Sequence, residues 1–180
     1  VDLHIKGLEQ MGARFDLQGG YIDGRVDGRL RGAKIIFPFV SVGATENLLM
    51  AASLAEGRTV LANAAREPEI GDLAKCLVSM GAQITGIGSD TLVVEGVPAL
   101  HGAEHSIIPD RIETGSYACA AAISGGSVFL RHARLEHLGA TIRVMRDAGV
   151  EVTEGEGGGE VRRRDGRHGG GGRTGPGAGR

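Results

Sequence analysis

One phrase in this sequence is written twice. "VSVGATENLLMAASLAEGRTVLANA" at residues 40–64 returns as "PDRIETGSYACAAAISGGSVFLRHA" at residues 109–133, 69 positions on. "GLEQMGARF" at 7–15 returns as "CLVSMGAQI" at 76–84 with the same displacement, and "VMRDAGVEV" at 144–152 follows that copy by 68. Self-similarity at a fixed displacement means that one supersecondary unit is reused. The unit reads helix, strand, strand, then strand, helix, strand. A period near 69 is longer than the ~20–50 residues of solenoid repeats. Units of this length are expected to assemble around a pseudo-symmetry axis in a mixed α/β domain.

Local patterns agree with that unit. Leu48, Leu49, Ala52 and Ala55 recur at helical spacing, Gly57 stops the helix, and "RTVLANA" reads as a strand. Leu73, Leu77 and Met80 make a second helical stripe closed by Gly81, after which Ile84 opens a strand and "TLVVEGV" another. Hydrophobic residues make up 41% of the chain but aromatics only 3%, with no Trp, so the core is aliphatic. Cys76 and Cys119 fall within apolar helical patterns and are expected in the core. Two cysteines in 180 residues are no disulfide framework, which points to a reducing cytoplasm. A net charge of −2 gives no basic footprint for nucleic acid. No apolar run approaches the ~18 residues of a membrane span. Residues 153–180 hold 12 glycines and 6 arginines and are expected to be disordered. They contain no Gly-Lys-Ser/Thr, so they are no P-loop.

Few residues carry candidate chemistry. In "VSVGATEN", Ser41, Val42 and Gly43 precede a helix, whose electropositive end accepts an anion such as phosphate. Plain capping by Ser41 or Thr45 is the other reading. "VDLH" opens another helix, where Asp2 either caps it or accepts from a ligand base or amide, with Leu3 as an apolar wall. "REPEI" and "PDRIET" place Arg66, Glu67, Glu69, Asp110, Arg111 and Glu113 at helix starts, as surface pairs or as a charged hinge. "HGAEH" at 101–105 has a zinc-like spacing, but it aligns with "RLRGAKI", a strand, so no metal is expected there. No Ser/His/Asp or Cys/His set can be placed.

"VDLHIKGLEQMGA", "VSVGATENLLMAASLAEG", "NAAREPEIGDLAKCLVSMGAQI" and "PDRIETGSYACAAAISGG" resemble the UDP-N-acetylglucosamine 1-carboxyvinyltransferases, an enolpyruvyl transferase family. The resemblance runs from Val1 to about Val152. It implies an inside-out α/β barrel of repeated βαβαββ units in two halves. Residues 1–108 then belong to the first half, 109–152 start the second, and 153–180 form the tail. It implies transfer of the enolpyruvyl group of phosphoenolpyruvate to the sugar 3-hydroxyl of UDP-N-acetylglucosamine, in cytoplasmic peptidoglycan synthesis. No cofactor, metal, membrane or nucleic acid is implied.

Carried onto this chain, the resemblance makes Asp2 the acceptor for the uracil ring, lined by Val1 and Leu3. Ser41 and the backbone of Val42 and Gly43 meet the diphosphate, Val40 and Phe39 belong to the same substrate-binding segment, and Phe39 stands where the family often has Lys. Glu69, Asp110 and Arg111 match cleft positions that sense closure or touch substrates. The family's reactive Cys loop matches nothing in this chain, so the chain alone is expected not to catalyse. Two alternatives stay open: a sibling transferase acting on shikimate phosphate, and a non-catalytic nucleotide-sugar-binding module.

Overall fold

The computed structural model describes residues 1–163. The first copy of the repeat is α1 (Asp2–Gln10), β1 (Arg14–Gln18), β2 (Tyr21–Arg25), β3 (Lys34–Ile36), α2 (Val42–Ser53) and β4 (Arg58–Ala62). The second is α3 (Pro68–Ser79), β5 (Gln83–Thr85), β6 (Thr91–Glu95), α4 (Arg111–Ser124) and β7 (Gly126–Arg131). A 3-10 turn at Leu135–Leu138 leads into α5 (Gly139–Asp147), β8 (Glu151–Gly155) and β9 (Gly158–Arg163). Every copy of the "GLEQMGARF" phrase ends a helix and opens an antiparallel hairpin.

The repeat reaches down to strand register. Arg58 pairs Glu95 between β4 and β6, and its counterpart Ser127 pairs Arg162 between β7 and β9. Ile84 pairs Val94 across the β5–β6 hairpin, and Val152 pairs Val161 across β8–β9. A one-residue slip would turn each apolar face to solvent, so burial of one face fixes the pairing.

The chain divides into two compact units, Val1–Ile108 and a second starting at Pro109. In the first, a four-stranded sheet in the order β3-β4-β6-β5 has β3 parallel to β4 and the other pairs antiparallel. Leu61, Leu92 and Val94 point from it into a core shared with Leu48, Leu49 and Ala52 of α2 and Ile70, Ala74 and Leu77 of α3. Each of these leucines contributes about 1.5–3 kcal/mol by leaving water. Helix α1 packs on α2 at Gly7, where a β-carbon would overlap the Leu48 side chain. In the second unit, β7-β9-β8 form an antiparallel sheet over Ala118, Ala121, Leu138, Ile142 and Met145. The β1–β2 hairpin forms its own two-stranded sheet, with Leu17 and Tyr21 exposed.

Three expectations need correction. No strand forms around His101–His105. The parallel partner it would need is the counterpart of β4, which is β7 and belongs to the second unit. His101 N–H donates instead to Met80 C=O, 2.9 Å away. The cysteines are not core residues: Cys76 is half-buried and Cys119 exposed, because α4 buries the face carrying Ala118 and Ala121. Disorder does not begin at Thr153. Residues 153–163 belong to β8 and β9, with Val161 only 1% exposed. One glycine there is packed closely, since a β-carbon on Gly159 would run into the Leu135 side chain. The rest of the expected tail, 164–180, lies outside the described residues. Among the described residues, no helix is long and apolar enough to cross a membrane.

Candidate functional site

Ser41 is the N-cap of the twelve-residue helix α2, held extended at φ −141°, ψ 115°. Its Oγ accepts from the Ala44 N–H at 3.4 Å, a long contact and a weak cap. Its carbonyl is better satisfied, accepting the Thr45 N–H at 3.0 Å and the Thr45 hydroxyl at 2.8 Å. The first N–H groups of any helix lack an intrahelical partner. Among the described residues, those of Val42 and Gly43 donate to nothing. Gly43 is exposed and presents no side chain above them. The turn therefore offers two free amides at the positive end of a helix dipole.

A second helix start lies beside the first. The His4 ring stands 3.7 Å from where a β-carbon on Gly43 would be. Its Nδ1 accepts from the Asn47 amide nitrogen at 3.0 Å, which in the neutral ring leaves the proton on Nε2. That bond ties α1 to α2 and brings Asp2 and Leu3 to the same end of the unit as Ser41, Val42 and Gly43. Asp2 is exposed, and its carboxylate has no hydrogen-bond or ion-pair partner among the described residues. Val1, Phe39 and Val40 are 80%, 63% and 53% exposed, whereas Phe37 is buried. The alternation that buries Ile35 and Phe37 breaks after Phe37, which leaves Phe39 outside.

The other candidates separate. Glu69 is half-buried in the first turn of α3, and Glu67 accepts from the Arg66 N–H at 2.9 Å. Asp110 caps α4 strongly, its Oδ1 accepting from Ile112 at 2.7 Å and Glu113 at 3.2 Å. Arg111 opens the same helix, and both belong to the second unit. His105 Nε2 lies 3.1 Å from Asp72 Oδ1. His4 and Asn47 close the phrases "VDLH" and "VSVGATEN", but 43 positions separate them and the sequence reading gave neither a role.

The model of the EPSP synthase (3-phosphoshikimate 1-carboxyvinyltransferase) family matches residues 1–171. The chain belongs to that family. Within the EPSP synthase family its similarity is high to UDP-N-acetylglucosamine 1-carboxyvinyltransferases. It is 70% identical to the one from Granulibacter bethesdensis over 94% of this chain and 65% identical to that from Acidiphilium cryptum. The chain spans about 40% of the length of these relatives. Among solved structures, an enolpyruvyl transferase from Streptomyces tendae superposes with a TM-score of 0.72 at 20% identity, covering 89% of this chain and 41% of that one. An EPSP synthase from Acinetobacter baumannii superposes at 0.61 and 22% identity, covering 89% of this chain and 38% of that one. The fold is thus the mixed α/β fold of enolpyruvyl transferases.

Proposed function

We propose that this chain is the nucleotide-sugar-holding part of an enzyme that moves the enolpyruvyl group of phosphoenolpyruvate onto UDP-N-acetylglucosamine. The sugar 3-hydroxyl gives up its proton as its oxygen bonds to C2 of phosphoenolpyruvate, and C3 gains a proton. The resulting tetrahedral adduct loses phosphate and that proton's equivalent, which restores the double bond. The reaction needs no metal or redox step. It belongs to cytoplasmic peptidoglycan synthesis. The whole enzyme is an inside-out barrel, with residues 1–108 in one half and Pro109 opening the other.

The observation that carries this reading is the pair of unpartnered amides on Val42 and Gly43 beside the free carboxylate of Asp2. A diphosphate on those amides is held by backbone dipoles without a buried cation. Asp2 accepts from the uracil N–H, with Val1 and Leu3 against the ring. Phe39 and Val40 flank the turn and exclude water. Glu69, Asp110 and Arg111 serve closure or contact the substrates. The chemistry of phosphoenolpyruvate falls to residues with no counterpart here, so the chain alone binds and does not turn over.

Titration of the chain with UDP-N-acetylglucosamine, followed by backbone amide NMR, tests this. Saturable shifts at Val42, Gly43 and Asp2 are expected, reproduced by UDP. The family description also names a phosphoshikimate substrate. Shikimate 3-phosphate displacing UDP from these amides, or binding in its place, would turn the assignment toward the sibling reaction.

A further inference from the structure

Two loops meet behind the Ser41 turn, and one buried hydroxyl joins them. Thr45 is fully buried. Its Oγ1 donates to Ser41 C=O at 2.8 Å and accepts the Ala65 N–H at 3.1 Å. A second link lies alongside. Asn63 adopts φ 55°, a left-handed backbone that Asn tolerates, and its side-chain amide donates to Phe37 C=O at 2.9 Å. Phe37 N–H in turn donates to Ala62 C=O at 3.0 Å. Residues 37–45 are therefore tied to residues 62–65 on both sides of the turn.

The repeat separates what is generic from what is particular. Thr114, the counterpart of Thr45, also returns its hydroxyl to the N-cap carbonyl, that of Asp110, at 2.7 Å. That back-bond belongs to the scaffold. The cross-link to the following loop does not recur: among the described residues, Arg134, the counterpart of Ala65, sends no N–H to Thr114. His132, the counterpart of Asn63, keeps the left-handed φ of 58° but donates its backbone N–H to Gly157 C=O. The first unit has added a tie exactly where its amides are left open to a ligand.

We infer that Thr45 and Asn63 are positioning residues that lock the amide-bearing turn at 41–43 to the 62–65 loop that leads into the charged 66–69 segment, so that a diphosphate on the turn is felt at the start of that segment. This rests on the nucleotide reading above. A bond inside the core is shielded from water and holds its geometry better than an exposed one. Preorganised amides bind without first paying ordering entropy.

The test is an amide NMR titration of the full 180-residue chain with UDP, with uridine as control. In the unaltered chain Ala65 and Arg66 should shift with the same dissociation constant as Val42 and Gly43, and uridine should leave all four unmoved. In Thr45→Val the Ala65 and Arg66 shifts should vanish and UDP affinity fall about tenfold, with uridine affinity at Asp2 unchanged. Thr45→Ser, which keeps the hydroxyl, should stay within about twofold of the parent. If Val42 and Gly43 do not respond to UDP at all, the nucleotide reading itself fails. If they respond while Ala65 and Arg66 stay still, or if Thr45→Val retains the joint response, the lock is overturned. The unaltered chain decides this even should Thr45→Val not fold.

Discussion

Ser41 and Asp110 occupy the same place in the repeat, and each stands before a helix of similar length. At Asp110 a carboxylate takes the Ile112 and Glu113 amides at 2.7 and 3.2 Å, so that helix end is neutralised by its own chain. At Ser41 a hydroxyl reaches one amide at 3.4 Å and leaves two others open. Three positions account for the change: Ser for Asp at the cap, Gly43 for Ile112, and His4 placed over the turn. A shared scaffold therefore leaves one helix start with two open amides and closes the other with a carboxylate.

Packing behind the two helices differs in the same direction and sets the largest expected effect. Leu48 is fully buried against Gly7, while its counterpart Tyr117 is 57% exposed. Leu48→Ala should lower unfolding free energy by about 2–5 kcal/mol, and Tyr117→Ala by about 0.5 kcal/mol or less. Urea titration followed by circular dichroism checks both. Equal losses would mean that the two helices are supported alike, and the contrast drawn here would go.

Making Ser41 resemble Asp110 is the sharpest test of the site. Ser41→Asp places a fixed negative charge on the Val42 and Gly43 amides and against any diphosphate. UDP-N-acetylglucosamine affinity should fall about 100-fold, near 2.7 kcal/mol. The helix itself should hold or gain a few tenths of a kcal/mol from the better cap. Calorimetric titration that finds Ser41→Asp binding like the parent chain would remove the diphosphate from this turn.

Much of this could be read in the sequence because the repeat carries it. The displacement of 69 aligns the start of α2 with that of α4, and the shift of 68 aligns the end of α3 with that of α5, each followed by a strand. Apolar spacing found Leu48, Leu49 and Ala52, all fully buried. What stayed hidden depends on contacts distant in sequence. His4 meets Asn47, and Thr45 meets Ala65, through packing that no local pattern encodes. The misread strands at 153–163 show the reverse error. Glycine-rich composition suggested disorder, but Gly159 lies in β9, packed closely under the Leu135 side chain.

The C-terminal ends of the two helices answer the same need with different residues. Arg29 bonds the α2 end through Leu54 C=O at 2.7 Å and joins it to Val97 C=O at 2.6 Å. Among the described residues, Arg163 holds the α4 end through one bond, to Ala122 C=O at 2.7 Å. The two arginines are not repeat counterparts. Arg29→Ala should cost about 1.5–3 kcal/mol in thermal unfolding, because two loop ends lose a charged donor together. Arg163→Ala should cost no more than about 1 kcal/mol, since its bond is exposed.

The smallest effect bears most directly on the opening contrast. If Asp110 is a structural cap and Ser41 a nearly idle one, removing each side chain should rank them in stability. Asp110→Ala should destabilise by about 1 kcal/mol and Ser41→Ala by a few tenths. Added UDP should reverse the ranking of interest, because Ser41→Ala loses a ligand contact while Asp110→Ala loses none at the turn. Melting each variant with and without millimolar UDP gives the four numbers needed. A Ser41→Ala loss as large as that of Asp110→Ala without ligand would make Ser41 a true cap. The open amides of Val42 and Gly43 would then need another explanation than a ligand.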